Sequence, residues 1–362
     1  LNDRVTRALE DEIASETLTF SGVARWYIGI ASTVAILLAI KQLFNLRVGG
    51  AAMLEGTYLY LLAGIFLSIT FLAFRITGRR SADVPWYDWL LVAPTLLIGG
   101  YFAYTSDQSL RNGWEYAAPE TAKWMSIALY LLILEGTRRA GGLILFAVVL
   151  IFSLYPTFAS SVPDPLSGFT QPFTDVVPFF MISSEASFGI PMQAFGTLVI
   201  GFILFGAVLQ FTGGGRFFND LAMALVGQYR GGAGKVSIFA SGFMGSMSGS
   251  VISNVLTTGA VSIPAMKSSG FTARIAAAIE ACASTGGVLM PPIMGATAFV
   301  MASWLGRPYV EIMLAAAIPS ALFYFGLFVQ IDAYSARRGL SGLSRAELPK
   351  IHDTLRHGWP YI

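Results

Sequence analysis

The stretch from Val236 to Gly306 constrains this chain most. It opens with thirty-one residues, 236–266, that carry no charge. That is more than the roughly 20 a single helix needs to cross a bilayer. Its middle is small and polar instead of greasy: seven of the ten residues from Ser241 to Ser250 are Gly or Ser, a poor composition for continuous helix. The flanks hold about a dozen residues each, enough to reach halfway through a ~30 Å hydrocarbon layer at about 1.5 Å per residue. This pattern predicts a helical hairpin that enters the membrane, turns at Ser248-Gly249-Ser250 and leaves on the same side. A second uncharged run, Ala281 to Gly306, is interrupted by Ser284-Thr285-Gly286-Gly287 and then by Pro291-Pro292. It predicts a discontinuous helix. Irregular backbone at membrane depth persists only where protein or water covers it, and two such breaks close together mark a transporter's substrate and ion site.

The rest of the chain fits an all-α integral membrane protein, a polytopic helical bundle. Apolar residues make up 55% and charged residues 12%, against about 25% charged in soluble domains. Nearly charge-free runs predict spans at 25–44, 56–75, 86–105, 121–137, 141–158, 188–211 and 310–332, with the hairpin at 236–267 and the broken helix at 272–304. Trp26, Trp86, Trp89, Trp304 and Tyr309 fall at span ends, as an interfacial aromatic belt does. The single cysteine, Cys282, excludes an intramolecular disulfide and reads as core packing. Both histidines, His352 and His357, lie in the polar tail, so no Ser-His-Asp triad or His-rich transition-metal site is expected within the membrane. No basic cluster is interleaved with aromatics, which argues against nucleic acid.

Placing the N-terminus in the cytoplasm puts eighteen of the 23 basic residues on that side, including Arg4, Arg7, Arg79, Arg80, Arg216, Lys235, Lys267 and Arg345. The positive-inside rule selects this orientation, and the hairpin then enters from the cytoplasmic face. The polar first 25 residues read as a cytoplasmic lead-in and not as a signal peptide. Loop 159–185 is rich in Pro and Ser and carries Asp164, Asp175 and Glu185 without Lys or Arg, so it is expected outside as a seam between two units.

A hairpin tip offers free N–H groups to an anion and free carbonyls to a cation. Ser248, Ser250, Thr257 and Thr258 supply hydroxyls, Gly249 allows close approach, and Asn254 lies one turn past Ser250. Ser284, Thr285, Gly286 and Gly287 repeat that chemistry. Pro291 and Pro292 remove the donors that the carbonyls of Gly287 and Val288 would use. The same small residues also serve tight helix packing. Glu280, four residues before Ser284, is the acid beside this site and fits a coupling or substrate-contact role. It also lies six residues from Arg274, close enough to pair at the interface instead. Glu135 with Arg138 reads as an interfacial ion pair, and Asp88 and Asp332 are expected in water.

The segment Gly245-Ser-Met-Ser-Gly-Ser-Val-Ile-Ser-Asn-Val-Leu-Thr-Thr-Gly259 with Ile263-Pro-Ala-Met-Lys267 resembles the first hairpin of the large membrane subunit of tripartite ATP-independent periplasmic (TRAP) transporters. Glu280-Ala-Cys-Ala-Ser-Thr-Gly-Gly-Val-Leu-Met-Pro-Pro-Ile-Met-Gly295 resembles the broken helix that follows it. Pro85-Trp-Tyr-Asp-Trp-Leu90, Leu134-Glu-Gly-Thr-Arg-Arg139 and Phe188-Gly-Ile-Pro191 are similar to the TAXI class, in which small and large subunits are commonly fused. The resemblance implies an elevator-type secondary permease of the bacterial or archaeal inner membrane. Such a permease imports an organic acid (a carboxylate) from a periplasmic substrate-binding protein by cation symport, with Na⁺, or H⁺, as coupling ion. It implies a cation site at Ser248, Gly249, Ser250, Asn254, Ser284, Thr285, Gly286 and Gly287, bordered on the substrate side by Thr257, Thr258, Glu280, Pro291 and Pro292. It also implies a small-subunit-like unit at 1–160, a periplasmic connector at 161–185, the first inverted repeat of the transport unit at 186–335 and a cytoplasmic linker at 336–362. One repeat is present, so a C-terminal half is expected from a longer permease or from another chain.

A channel with a re-entrant pore loop is the rival class, since such loops also line pores. It lacks support from a filter sequence or an acidic ring at the tip. A membrane scaffold half is a second alternative, and an enzyme lacks an acid–base pair beside a Ser nucleophile.

Overall fold

The structure, a computed structural model, describes residues 20, 22–47, 53–76, 84–344 and 348–361. Most of the expected lead-in, with Arg4 and Arg7, lies outside the described residues, as do Arg79, Arg80 and Arg345. Among the described residues the chain is helical, with six helices long and apolar enough to cross a membrane: Gly22–Leu43, Glu55–Ala73, Trp86–Arg111, Glu120–Thr157, Ile190–Leu209 and Tyr309–Arg338. It is a polytopic membrane protein. The chain divides into two compact units, Leu1–Thr197 and Leu198–Ile362.

The first unit holds α1 (Gly22–Leu43), α2 (Glu55–Ala73), α3 (Trp86–Arg111), α4 (Glu120–Leu154), α5 (Phe173–Ile182) and α6 (Ile190–Ala194). Pro85, Pro119 and Pro172 stand at the N-caps of α3, α4 and α5, where a fixed φ and a missing N–H cost the helix nothing. α2 and α3 pack closely because glycines meet at the crossing: a Cβ on Gly99 would lie 3.2 Å from the Cα of Gly64. α4 is a hairpin in itself. Gly142 adopts φ 79° and ψ 178°, and the hydroxyls of Tyr130 and Ser153 meet at 2.7 Å across 23 positions. In one straight helix those residues would stand about 34 Å apart. Spans 121–137 and 141–158 are therefore its two limbs. The loop expected at 159–185 contains α5, which buries Val176, Val177 and Met181. An apolar run hidden between prolines concealed it.

Asp88 is not in water. It is 1% exposed and accepts a hydrogen bond from Arg139 Nη1 at 2.6 Å, while Arg139 Nε donates to Glu135 Oε1 at 2.7 Å. Arg139 also donates to the carbonyl of Phe74 at 3.2 Å and lies over the ring of Phe71. Glu135 pairs with Arg138 at 2.7 Å as its spacing predicts. The expectation for Asp88 missed because its partner lies 51 positions away.

The second unit begins within the π-helical turn Phe195–Val199 and continues through α7 (Ile200–Phe211), α8 (Gly214–Val226), α9 (Gly232–Ser248), α10 (Val251–Ser268), α11 (Ala273–Gly287), α12 (Ala296–Leu305), α13 (Tyr309–Arg338) and α14 (Ile351–Gly358). The hairpin turns at Gly249 and Ser250, between α9 and α10. Its limbs have 17 and 18 residues, longer than the expected dozen, because the Gly/Ser stretch stays helical up to Ser248. Packing outweighs propensity here: small residues let α9 approach α11 and α13. The broken helix is α11 and α12, interrupted at 288–295 and not at Ser284. Asp332 is paired as well. It accepts from Lys235 at 2.6 Å and from Arg230, joining the foot of α9 to the end of α13.

Asp88→Ala should destabilise the protein by about 3 kcal/mol, since it takes from the buried Arg139 one of its two carboxylate partners and leaves Glu135 as the other. Asp107→Ala, which breaks an exposed pair with Arg111, should cost less than about 1 kcal/mol. Thermal unfolding of the purified protein in detergent compares the two.

Candidate functional site

The hairpin and the broken helix come closest where two glycines face each other. A Cβ on Gly245 of α9 would lie 2.4 Å from the Cα of Gly287 of α11, and one on Gly286 would lie 2.3 Å from the Phe323 ring of α13. A larger residue at Gly245 would have to move backbone, and one at Gly286 the Phe323 and Tyr324 rings. Asn254 of α10 is 1% exposed and sits over this crossing, its Nδ2 donating to the carbonyl of Ser241 at 2.7 Å.

The tip is seated on the break. Gly249 has φ 60°, and a Cβ there would lie 2.3 Å from the carbonyl oxygen of Met294. The N–H of Ile293 donates to the carbonyl of Ser246 at 3.1 Å. Ser248 and Ser250 form a local turn, with the Ser250 N–H 3.4 Å from Ser248 Oγ. The carbonyls of Gly287 and Val288, expected to lose partners to the prolines, are not left bare. They accept from Met290 at 3.1 Å and Gly295 at 2.8 Å, so the break closes its own turns. Tyr309 of α13 donates to the carbonyls of Pro292 and Ile293.

Glu280 does not reach Arg274. It is fully buried, whereas Arg274 is exposed. Five hydroxyls surround its carboxylate: Ser237 on Oε2 at 2.7 Å, Ser241 on Oε1 at 2.7 Å, Ser284 on Oε1 at 3.1 Å, with Thr258 on Oε1 and Ser262 on Oε2. A buried acid without such donors is costly, and hydrogen bonds to an ionised acceptor are the strong ones.

The expected residues therefore separate into groups. Glu280, Ser284 and Thr258 share the carboxylate cluster, Asn254 and Gly287 share the helix crossing, and Ser248, Gly249 and Ser250 form the tip beside the break that carries Pro291 and Pro292. Thr285 is exposed and donates to its own helix at Ala281 O, 2.7 Å away. Thr257 is exposed on the rim of a cavity of about 390 Å³ between α8 and the hairpin. Cys282, expected in the core, is exposed, because it lies on the outer face of α11. Ser237, Ser241 and Ser262 escaped sequence reasoning. Their signal was present: Ser237/Ser241, Thr258/Ser262 and Glu280/Ser284 are three polar pairs at i, i+4, each on one face of one helix. Among the described residues no three His, Cys, Asp or Glu side chains gather as a metal site.

Residues 128–362, well over half of the chain, match the family described as "Tripartite ATP-independent periplasmic transporter, DctM component". The chain belongs to the DctM family. Among curated proteins the chain is similar to the uncharacterised protein YgiK of Salmonella typhimurium, 25% identical over 60% of this chain and 49% of that one. It is 29% identical to the sialic acid TRAP transporter permease protein SiaT of Haemophilus influenzae, over 46% of this chain and 27% of the relative. Its identity to the C4-dicarboxylate TRAP transporter large permease protein DctM of Pseudomonas aeruginosa is also 29%, over 42% and 35%. The chain thus spans about half or less of the length of these relatives.

Gly245→Ala should destabilise the hairpin by about 1–3 kcal/mol through overpacking against Gly287. Gly326→Ala on α13, with open space around its Cβ, should be near neutral. Chemical unfolding of both variants tests whether the crossing carries the difference.

Proposed function

We propose that this chain is part of the permease of a binding-protein-dependent secondary transporter that imports an organic acid by cation symport, with Na⁺ as the coupling ion. The observation that carries this reading is the hairpin tip seated on the break of a discontinuous helix, in a chain of the DctM family with six apolar spans. Two helix interruptions brought together give one place where backbone carbonyls, N–H groups and hydroxyls converge. In this reading the tip supplies oxygen ligands from the hydroxyls of Ser248 and Ser250 and the carbonyl of Gly249, which suit a hard monovalent cation, while Asn254, Ser284, Thr285, Gly286 and Gly287 complete the site from the neighbouring crossing once the hairpin moves.

In this reading the hairpin re-enters the membrane, and hairpin and broken helix travel together as an elevator while the substrate's carboxylate lies beside the tip. Residues 1–160 act as the small-subunit-like unit of a TAXI-type fusion, 161–185 as a periplasmic connector and 186–335 as the first repeat of the transport unit. Residues 336–362 then lead to a second repeat supplied elsewhere. The N-terminus is cytoplasmic in the inner membrane, and the substrate arrives on a periplasmic binding protein. The relatives named for sialic acid and C4-dicarboxylates support an organic acid as the substrate class.

The test is uptake by the full-length permease reconstituted in liposomes, with its binding protein and labelled organic acids. Accumulation should require both the binding protein and an inward Na⁺ gradient. Replacing Ser250 and Thr285 together with Ala should raise the half-saturating Na⁺ concentration by about tenfold, equivalent to about 1.4 kcal/mol. Uptake with unchanged Na⁺ dependence would remove these residues from the ion site, and a steady conductance without binding protein would replace the symporter with a channel.

A further inference from the structure

Among the described residues Glu280 is the most densely hydrogen-bonded side chain of the second unit, and a place beside the substrate does not account for that. Its donors come from three helices in a regular arrangement. α9 supplies Ser237 and Ser241, α10 supplies Thr258 and Ser262, and α11 supplies Ser284. Each carboxylate oxygen joins the two hairpin limbs: Oε2 takes Ser237 from one and Ser262 from the other, and Oε1 takes Ser241 and Thr258. Gly259 of α10 makes room for the stem, since a Cβ there would lie 3.1 Å from Glu280 Cγ. Among the described residues no cation bonds to this carboxylate. Lys235, two positions before Ser237, is turned to Asp332 at 2.6 Å, and Lys267 and Arg274 are exposed.

We propose that Glu280 is a positioning residue, the clamp that holds both limbs of the hairpin on α11 and thereby keeps the tip seated on the break. The chemistry favours a carboxylate over any other side chain. Each hydroxyl brings one proton, and a carboxylate offers about four acceptor sites and no donor. A glutamine of the same shape would turn an N–H₂ toward one set of hydroxyls, which would then have to rotate and accept, and their own protons would lose the carboxylate oxygen. An aspartate would fall one methylene short of both limbs. Without the clamp, the direct tie between the limbs is chiefly the Asn254 bond to Ser241 and the Ser241–Thr258 contact. The contacts with Ile293 and Met294 are made by Ser246 and Gly249, about one and a half and two turns past the clamp serine Ser241 along α9, so a loosened limb displaces them.

Hydrogen–deuterium exchange of the purified full-length permease in lipid nanodiscs tests this. Glu280→Gln should speed amide exchange across Gly232–Ser268 by tenfold or more, the tip at Gly249–Ser250 included, and leave α2 and α3 unchanged. Ser237→Ala and Ser262→Ala each remove one limb's bond to Oε2 and keep the acid. Both should speed exchange at the tip, and the double variant should add little to either single one, because either loss opens the same bridge. These milder variants decide the matter if Glu280→Gln does not fold. In uptake, which alone rests on the proposed function, the serine variants should raise the half-saturating coupling-ion concentration at normal protein abundance. A purely structural loss would instead lower the maximal rate. Faster exchange with no ion-driven uptake in the wild-type permease leaves the clamp standing and removes the symport reading. Unchanged exchange in all the variants overturns the clamp.

Discussion

A buried carboxylate ringed by hydroxyls has to be reached by three helices at once, and this requirement organises the second unit. Glu280 can collect donors from α9, α10 and α11 only if the helices lie closer than ordinary side chains permit. The glycine contact of Gly245 with Gly287, and the space left by Gly259, meet that requirement. The same closeness brings the tip to the break. Gly/Ser composition and buried charge are therefore two sides of one arrangement: small residues allow the approach, and the acid with its hydroxyls gives the approach a direction and a register.

The first unit solves a related problem with different chemistry. There the buried charges are opposite and paired, with Arg139 set between Asp88, Glu135 and backbone carbonyls. An ion pair inside an apolar bundle adds less net stability than its Coulomb attraction suggests, because both ions must shed water. It does specify which helices may pack, since a wrong neighbour leaves a charge alone. In one unit hydroxyls answer an acid, and in the other a guanidinium does.

Much of this was legible in the sequence. Turn and break could be placed from Gly249, which needs a left-handed conformation, and from Pro291-Pro292, which cannot continue a helix. A reversal was expected at the gap 138–140 between two spans, and it falls just beyond, at Gly142. What stayed hidden depended on partners far away in the chain. Asp88 looked solvated because it stands near a span end, and only the fold reveals Arg139. Glu280 looked like a pair for Arg274 by proximity, while its true partners are on three helices. The hydroxyl set could have been found from three i, i+4 polar pairs, had each been read as a helix face instead of as part of a flexible stretch. Cys282 was misplaced because an apolar run in a membrane protein does not say which face looks inward.

The pairing of Asp88 with Arg139 also bears on how the first unit is made. Asp88 lies in the first turn of α3 and is synthesised 51 positions before its partner. Arg139 follows later, in the turn before the reversal at Gly142, with Glu135 one turn before it on the same helix as its first partner. The guanidinium, the charge hardest to place in lipid alone, thus meets one carboxylate on its own helix and a second from a helix made before it.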